Sequence, residues 1–451
     1  MRMRKEKLMK KLISILLCGM LMLTMLAACA KTETSTDAAA DTSSQTENAA
    51  EQSGDTAAAQ TTIVWQSWDS YSKYEAAIEA FEQVHPEIHV EYEQVSDYMT
   101  KIMTEATSDE LPDLISCKSG YTPIFADAGI LQALDVSALQ ADAEYDYADF
   151  WETTYDYCTY DDTYYALPID GGGYAWVYNE QMFDKLGITV PENGFTWTQF
   201  REVCQTLVDH KDELGISYPT LINDYGFRTI YPWAAQNGAE YLNADNTACL
   251  LNSEQTLGAI EYLQTLIADG YMPPMEKLDE GTYPIVGMLN SGEIAMGRIA
   301  LWETTALEDS ANVTWQVMHS PCADNGKQAE ILYINTIAIS ATSKNQEAAQ
   351  TFIKYITGKE GLSILLKGTS DPQTSVRKSL QELSISMFTE DKHMHIYNDA
   401  LEYSTWIPNL VSYEDQLTFM QQKLDEIWYN NAEPAAVLTE IESGINDILQ
   451  E

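Results

Sequence analysis

Two domains, each built on an open α/β sheet, are what this sequence predicts, and three observations carry the reading. Strand-like and helix-like stretches alternate from Thr61 onward, with crossovers long enough for parallel pairing. Residues 61–451 exceed what one ordinary core accommodates, so two domains are expected. All 10 Trp, 27 Tyr and 10 Phe lie in this stretch, and the excess of Tyr over Phe points to aromatic surface with a polar edge as well as to core.

Thr61-Thr62-Ile63-Val64-Trp65-Gln66-Ser67-Trp68 reads as a buried strand. Tyr74 to Val84 has helical spacing, with Ala77, Ile78, Phe81 and Val84 on one face, and Pro86 ends it. Ile88 to Tyr92 is a second strand, Tyr98 to Ala106 a helix, and Leu111 to Ser116 enters a third strand. The middle, 175–330, has strands and helices of its own, among them the helix Ser253 to Asp269 closed by Gly270. Ile331 to Ser340 is again an apolar strand, and Gln346 to Thr357 a helix with Ala349, Phe352, Ile353 and Ile356 inward. Gln416 to Glu451 reads as helices alone. Trp65, Trp176 and Trp315 sit within strand-like runs and are assigned to the core.

The front of the chain has a different character. Arg2, Arg4, Lys5, Lys7, Lys10 and Lys11 precede an apolar run from Leu12 to Ala28, the layout of a secretory signal. Leu26-Ala27-Ala28-Cys29 closes that run and resembles the bacterial lipoprotein box, in which the cysteine takes a diacylglycerol and becomes the new N-terminus. The resemblance implies a signal peptide over 1–28, lipidation of Cys29 and a protein held at the extracellular face of the cell membrane. An uncleaved membrane anchor is the competing reading; the apolar run stands at the short limit for spanning. Residues 29–60 hold the cysteine and a segment made nearly entirely of Ala, Thr, Ser, Asp, Glu, Gln and Asn, with no aromatic or branched aliphatic residue. Such a segment cannot bury enough apolar surface to offset its ordering entropy, so a disordered stalk reaching roughly 30 Å is expected.

Removal of residues 1–28 takes away six of the 25 basic residues and one of the 69 acidic ones, leaving a net charge of −49. Nucleic acid is excluded as a partner by that sign. Cys18 lies in the leader; Cys117, Cys158, Cys204, Cys249 and Cys322 are widely spaced, odd in number and without C-x-x-C, so buried reduced thiols are expected and zinc is not. No G-x-S-x-G or P-loop pattern is present, and Gly171-Gly172-Gly173 lacks dinucleotide spacing and reads as a flexible hinge. His85 and His89 are split by Pro86, His393 and His395 lack a third ligand, and Asp161-Asp162 reads as a turn. No metal, cofactor or catalytic group is expected.

Five segments together resemble the extracellular solute-binding proteins of ABC importers, in particular the sugar-binding group. They are Phe81 to Val90; Leu111-Pro112-Asp113-Leu114-Ile115 with Ala128 to Leu131 and Leu134-Asp135; Tyr165-Ala166-Leu167-Pro168 with Tyr178-Asn179-Glu180, Phe183, Gly187-Ile188, Pro191 and Thr196-Trp197; Ser291 to Met296; and Ala338-Ile339-Ser340 with Glu347-Ala348-Ala349 and Phe352. Asp170 to Gly173 is richer in glycine than the family pattern, and 373–415 departs from it. The resemblance implies a two-lobed periplasmic-binding-protein-like fold of type II. Each lobe would be a doubly wound sheet flanked by helices, with a hinge and a central cleft. Lobe one would be 61–168 with 337–370, and lobe two 171–333 with 374–451. The hinge would be crossed near 168–174, 332–337 and 369–375.

Ligands of open α/β sheets sit beyond the carboxyl ends of strands. That rule selects Trp68, Asp69, Ser70 and Tyr71 after the first strand, and Lys118, Ser119, Gly120 and Tyr121 after the third. Sugars fit such loops, because their C–H faces pack on aromatic rings while their hydroxyls need planar polar partners. Family position adds Trp302 with Glu303, Arg228, Tyr231 and Trp233 before Asn237-Gly238, Tyr174 after the glycine run, and Tyr413. The expected ligand-binding set is Trp68, Asp69, Tyr121, Tyr174, Arg228, Trp233, Trp302 and Glu303. The resemblance implies a monomer that captures a carbohydrate by hinge closure and passes it to ABC permease subunits, and that catalyses nothing. The alternatives are a binder of a peptide or polyamine, a surface glycan-acting enzyme with paired carboxylates, and a partner of a membrane sensor.

Overall fold

In the computed structural model, which describes residues 60–279, 284–310, 313–324, 327–368, 372–388, 392–404 and 408–450, the fold begins at Thr61. The signal peptide, Cys29 and all of the stalk but Gln60 lie outside the described residues. Strand β1 (Thr61–Ser67) leads to helix α1 (Tyr71–Val84), β2 (Ile88–Gln94), α2 (Tyr98–Ser108) and β3 (Leu114–Cys117). β1 pairs in parallel with both β2 and β3. The intervening helices return the chain in the same direction, as the alternation of strands and helices predicts. α1 buries Tyr74 together with Ala77, Ile78 and Phe81 of the face read from the sequence, but Val84, the fourth residue expected there, is the last of the helix and is 57% exposed.

After α3 (Tyr121–Asp127), the strands β4 (Thr159–Tyr160) and β5 (Thr163–Tyr164) form a hairpin. Asp161 and Asp162 turn it, with φ of 50° and 57°. Positive φ at both central residues matches the right-handed twist of the flanking strands. β6 (Ala166–Asn179) follows, and then β7 (Tyr218–Leu221), α4 (Phe227–Gln236) and α5 (Glu254–Ala268). The Ser253 hydroxyl caps α5 by accepting from the Thr256 amide, and Gly270 closes it with φ +76°. β8 (Ile294–Ala300), β9 (Trp315–Met318), β10 (Leu332–Ile339), α6 (Gln346–Ile356), α7 (Tyr413–Asn430) and α8 (Pro434–Leu449) complete the larger elements.

The strands run β2-β1-β3-β10-β6-β8-β7, with β9 also on β6. β10 is antiparallel to β3 and β6. The first half of β6 pairs with β10, and its second half pairs with β8 and β9. Two strand groups are therefore continuous through one strand. β6 is long enough, at 14 residues, to serve both, and nearly every residue in it is buried.

The glycine run differs from the flexible loop that the sequence suggests. Gly171, Gly172 and Gly173 lie inside β6 and pair with Ile334, Tyr333 and Leu332. Thr374 lies on the other side of Gly171, donating its amide to the Gly171 carbonyl at 2.8 Å and accepting from the Gly171 amide at 3.2 Å. The segments expected to cross between lobes are thus hydrogen-bonded neighbours. Trp65, Trp176 and Trp315 are 0%, 1% and 5% exposed, as the sequence predicts for core. Cys117, Cys158, Cys204 and Cys249 are buried free thiols, and Cys322 is a half-buried one.

Candidate functional site

Three rings meet where β6, β8 and β10 come together. Trp302, two residues past β8, has ring-centroid distances of 5.7 Å to Tyr174 and 6.0 Å to Tyr333, both edge-on. Tyr174 and Tyr333 are 6.3 Å apart. Strand register explains the grouping, because Tyr333 pairs with Gly172 and Tyr174 with Ala300. The indole remains 43% exposed, unusual for so large an apolar group. Beneath Tyr174 the Arg298 guanidinium lies 3.7 Å from the ring centroid, a cation–π contact. Arg298 donates two hydrogen bonds to Glu330, at 2.9 and 2.6 Å, with both side chains 2% exposed. Glu330 also accepts from the Ser320 hydroxyl at 2.8 Å. Burial pushes the Tyr174 phenol well above its usual range, so it stays a neutral donor.

Tyr333 leads from this group to a charged one. The Arg228 guanidinium, on the second residue of α4, lies 5.8 Å from the centroids of Tyr333 and Tyr413. Its distance to Glu414 is 3.8 Å, and its Nε has no hydrogen-bond partner. Tyr413 is the first residue of α7 and fully buried. Its ring passes so close to Gly120, which has φ +90°, that a Cβ there would lie 3.1 Å from Cδ1. Beside Gly120, Lys118 rests 4.6 Å over the ring of Tyr121. Burial holds the Lys118 ammonium below the usual lysine range, with Glu414 opposing that and Arg228 adding to it. Burial likewise pushes the Tyr121 phenol up to about 12.

A third group ties β1, α1, β6 and β10 together. Lys73 is within 2.7 Å of Asp69 and 3.1 Å of Asp170. Tyr74 donates to Asp69 at 2.9 Å, and the Asn335 amide donates to Asp170 at 2.6 Å. Burial alone would lower Lys73, yet Asp170 and Asp69 carry it above its usual value, so it is charged. Trp68, next to Asp69, packs edge-on against Tyr98 at 5.3 Å.

The structure brings Tyr174, Trp302, Arg228 and Tyr121 to this surface. Trp68 and Asp69 stand at its β1 end, where Asp69 is engaged with Lys73. Trp233 is a correction: it is 2% exposed and packs against Trp176, Trp197, Phe200 and Tyr262. It sits inside α4 rather than in a loop, because the helix continues through Pro232. Glu303 caps the turn holding Trp302, accepting from the Ala300 amide at 2.9 Å. Tyr333, Lys118, Glu414 and the Arg298–Glu330 pair were outside the expected set. Leu332-Tyr333-Ile334-Asn335 alternates buried with half-buried residues, and that alternation was the available signal for Tyr333.

An exposed indole framed by tyrosines, with a guanidinium, an ammonium and carboxylates at its margin, is suited to hold a flat ligand with a polar rim. The fold around them is the mixed α/β periplasmic-binding-protein fold. The chain belongs to the bacterial extracellular solute-binding protein family, which matches residues 65–362, and this is a binding protein rather than an enzyme. Among solved structures, an ABC substrate-binding protein of Listeria monocytogenes in complex with cycloalternan superposes with a TM-score of 0.75. It is 21% identical, and 87% of this chain and 99% of that one are covered. The sugar-binding protein MalE of Xanthomonas citri gives 0.74, with 18% identity over 86% and 98% of the two chains. The multiple sugar-binding protein of Streptococcus mutans is 23% identical over 70% of this chain and 76% of its own.

Proposed function

We propose that this protein captures a sugar or oligosaccharide outside the cell and delivers it to the permease of an ABC importer. The observation that carries the reading is Trp302, an indole left 43% exposed between two tyrosines and beside buried charge. Pyranose C–H faces pack on such a ring, and the surrounding Arg228, Lys118 and Glu414 offer planar or charged partners for hydroxyls. The sugar ligands named for relatives in Listeria monocytogenes and Streptococcus mutans point the same way.

Lobe one, 61–168 with 337–370, and lobe two, 171–333 with 374–451, would close on the ligand by rotating about the adjoining segments of β6, β10 and Thr374. A ligand touching both lobes favours the closed form by its differential affinity for it. The protein acts as a monomer anchored through a diacylglycerol on Cys29, with residues 30–60 as its tether. A thermal-shift screen of the full-length protein against mono- and oligosaccharides tests the capture reading, with amino acids, peptides and polyamines alongside. Ligand at about 100 times its dissociation constant adds roughly 2.7 kcal/mol to stability. Stabilisation confined to one sugar class is the expected result, and stabilisation only by a peptide or polyamine would overturn it.

A further inference from the structure

The basic side chains of this protein are few, 25 against 69 acidic ones, and the deeply buried ones are matched with carboxylates. Lys73 has Asp69 and Asp170, Arg298 has Glu330, Arg377 has Asp149 at 3.6 Å, and Lys392 has Asp309. Lys118 and Arg228, both half-buried, are less closely matched. Among the described residues Lys118 has no ion-pair partner and lies on the Tyr121 ring. Arg228 reaches Glu414 only at 3.8 Å, lies against two tyrosine rings, and keeps a buried Nε–H unpartnered.

The two cations are close enough to sense one another, and each also senses Glu414. The other carboxylates of the region are engaged elsewhere. Asp69 is held by Lys73 and Tyr74, Glu303 by the Ala300 amide, and Asp224 by the Gly226 amide at 2.7 Å. Glu414 is thus the carboxylate that both cations share, in a chain of net −44. A guanidinium with a free Nε–H is half of the fork that grips a carboxylate or phosphate with two parallel hydrogen bonds. Tyr333 links this place to the exposed indole, standing 6.0 Å from Trp302 on one side and 5.8 Å from Arg228 on the other.

We infer that the captured solute is an acidic sugar, stacked on Trp302, with its anionic substituent held between Lys118 and Arg228. The inference rests on the sugar-capture reading and narrows it. The shared chemistry is a carboxylate, sulfate or phosphate on a pyranose. Desolvated by the same rings, an anion there restores to Lys118 the charge stabilisation that burial removes. Lys118 follows β3 and Arg228 lies in α4, so one anionic group would bridge the two proposed lobes. A neutral sugar would leave the two cations facing each other with less access to solvent.

Titration calorimetry of the full-length protein distinguishes these cases. The probes are oligogalacturonides, oligoglucuronides, sulfated disaccharides and hexose phosphates, each paired with its neutral parent. One acidic class is expected to bind at least tenfold more tightly than its parent. That ratio should fall as sodium chloride rises from about 50 to about 500 mM, since the contact is ionic. In Lys118→Met, which keeps the aliphatic stem, and in Arg228→Gln the ratio of acidic to neutral affinity should collapse towards one. Because the readout is a ratio within one variant, a general loss of affinity does not mimic it. Should Arg228→Gln fail to fold, Arg228→Lys keeps the charge, loses the fork and should still reduce the ratio. Neutral sugars binding as tightly as every acidic counterpart would overturn the inference and leave the capture reading standing. Binding by no sugar of either kind would overturn both.

Discussion

Gly172 lies directly against the indole of Trp302. A Cβ built on Gly172 would be 3.0 Å from both Cε3 and Cζ3 of that ring. The strand thus presents a bare stretch of backbone on which the indole sits, and the ring position depends on that missing methyl. Gly172→Ala is expected to displace the indole by a few tenths of an ångström or more, with a several-fold loss of ligand affinity and a change in tryptophan emission. The fold should survive, because the ring is partly exposed and can move. Calorimetry and fluorescence on one sample check both parts, and an unaltered affinity would remove Trp302 from the site.

Trp302→Ala removes the surface itself. Ligand binding should weaken at least tenfold, about 1.4 kcal/mol or more. Tm should change little, since the side chain is 43% exposed. Trp233→Ala should do the reverse, costing about 3–5 kcal/mol of stability through the cavity it leaves in the aromatic core. The contrast between the two variants, read by calorimetry and thermal melting, tests the separation of site from core.

The Arg298–Glu330 pair supports Tyr174 from below and is closed to solvent. Glu330→Gln leaves a buried guanidinium without its counter-charge and should cost about 3–5 kcal/mol. The double variant Arg298→Met with Glu330→Leu should recover much of that loss. Denaturant unfolding of the three proteins measures it. Equal destabilisation in single and double variants would show that the charges are not coupled.

His319 gives the stability a dependence on pH. Burial holds its imidazole below the usual range, while its Nδ1 is 2.9 Å from the Tyr403 hydroxyl. The unfolded chain, with an imidazole near about 6.5, therefore binds a proton that the folded protein resists. The stabilising contribution is whole above that value and is lost as pH falls through the folded value. Urea unfolding at successive pH values should show a smaller decline in His319→Gln than in the parent, and parallel curves would discount the residue.

Much of the scaffold was legible in sequence because the signals were local. The stripe Ala77, Ile78, Phe81 needs only helical geometry, and fails only at the helix end with Val84; the parallel pairing of β1 with β2 and β3 follows from the length of the crossovers. Trp68 and Tyr121 of the candidate site could be picked out because they follow strands, whereas Trp302 came from the family resemblance. Trp233 misled because family position placed it in a ligand-contacting loop, whereas the packing of Phe227, Ile230 and Trp233 holds a helix there in spite of Pro232. Tyr413 and Glu414 depend on α7 reaching the loop after β3, a tertiary approach that no periodicity encodes. Gly172 carried the opposite meaning in sequence, where a glycine run suggests freedom; in the sheet it marks a contact too close for a side chain.

The order of strands also governs when the molecule can form. β3 and β6 are neighbours only through β10, and β10 is the last strand to be synthesised. Until Leu332–Ile339 emerges, β3 and the first half of β6 have an unfilled edge between them, however much chain has been made. The chain before Leu332 can therefore pair β1 with β2 and β3, and β6 with β8 and β9, but it cannot join the two groups. Pairings so distant in sequence form slowly. The two halves of the sheet are therefore joined only once the chain through Ile339 has been made.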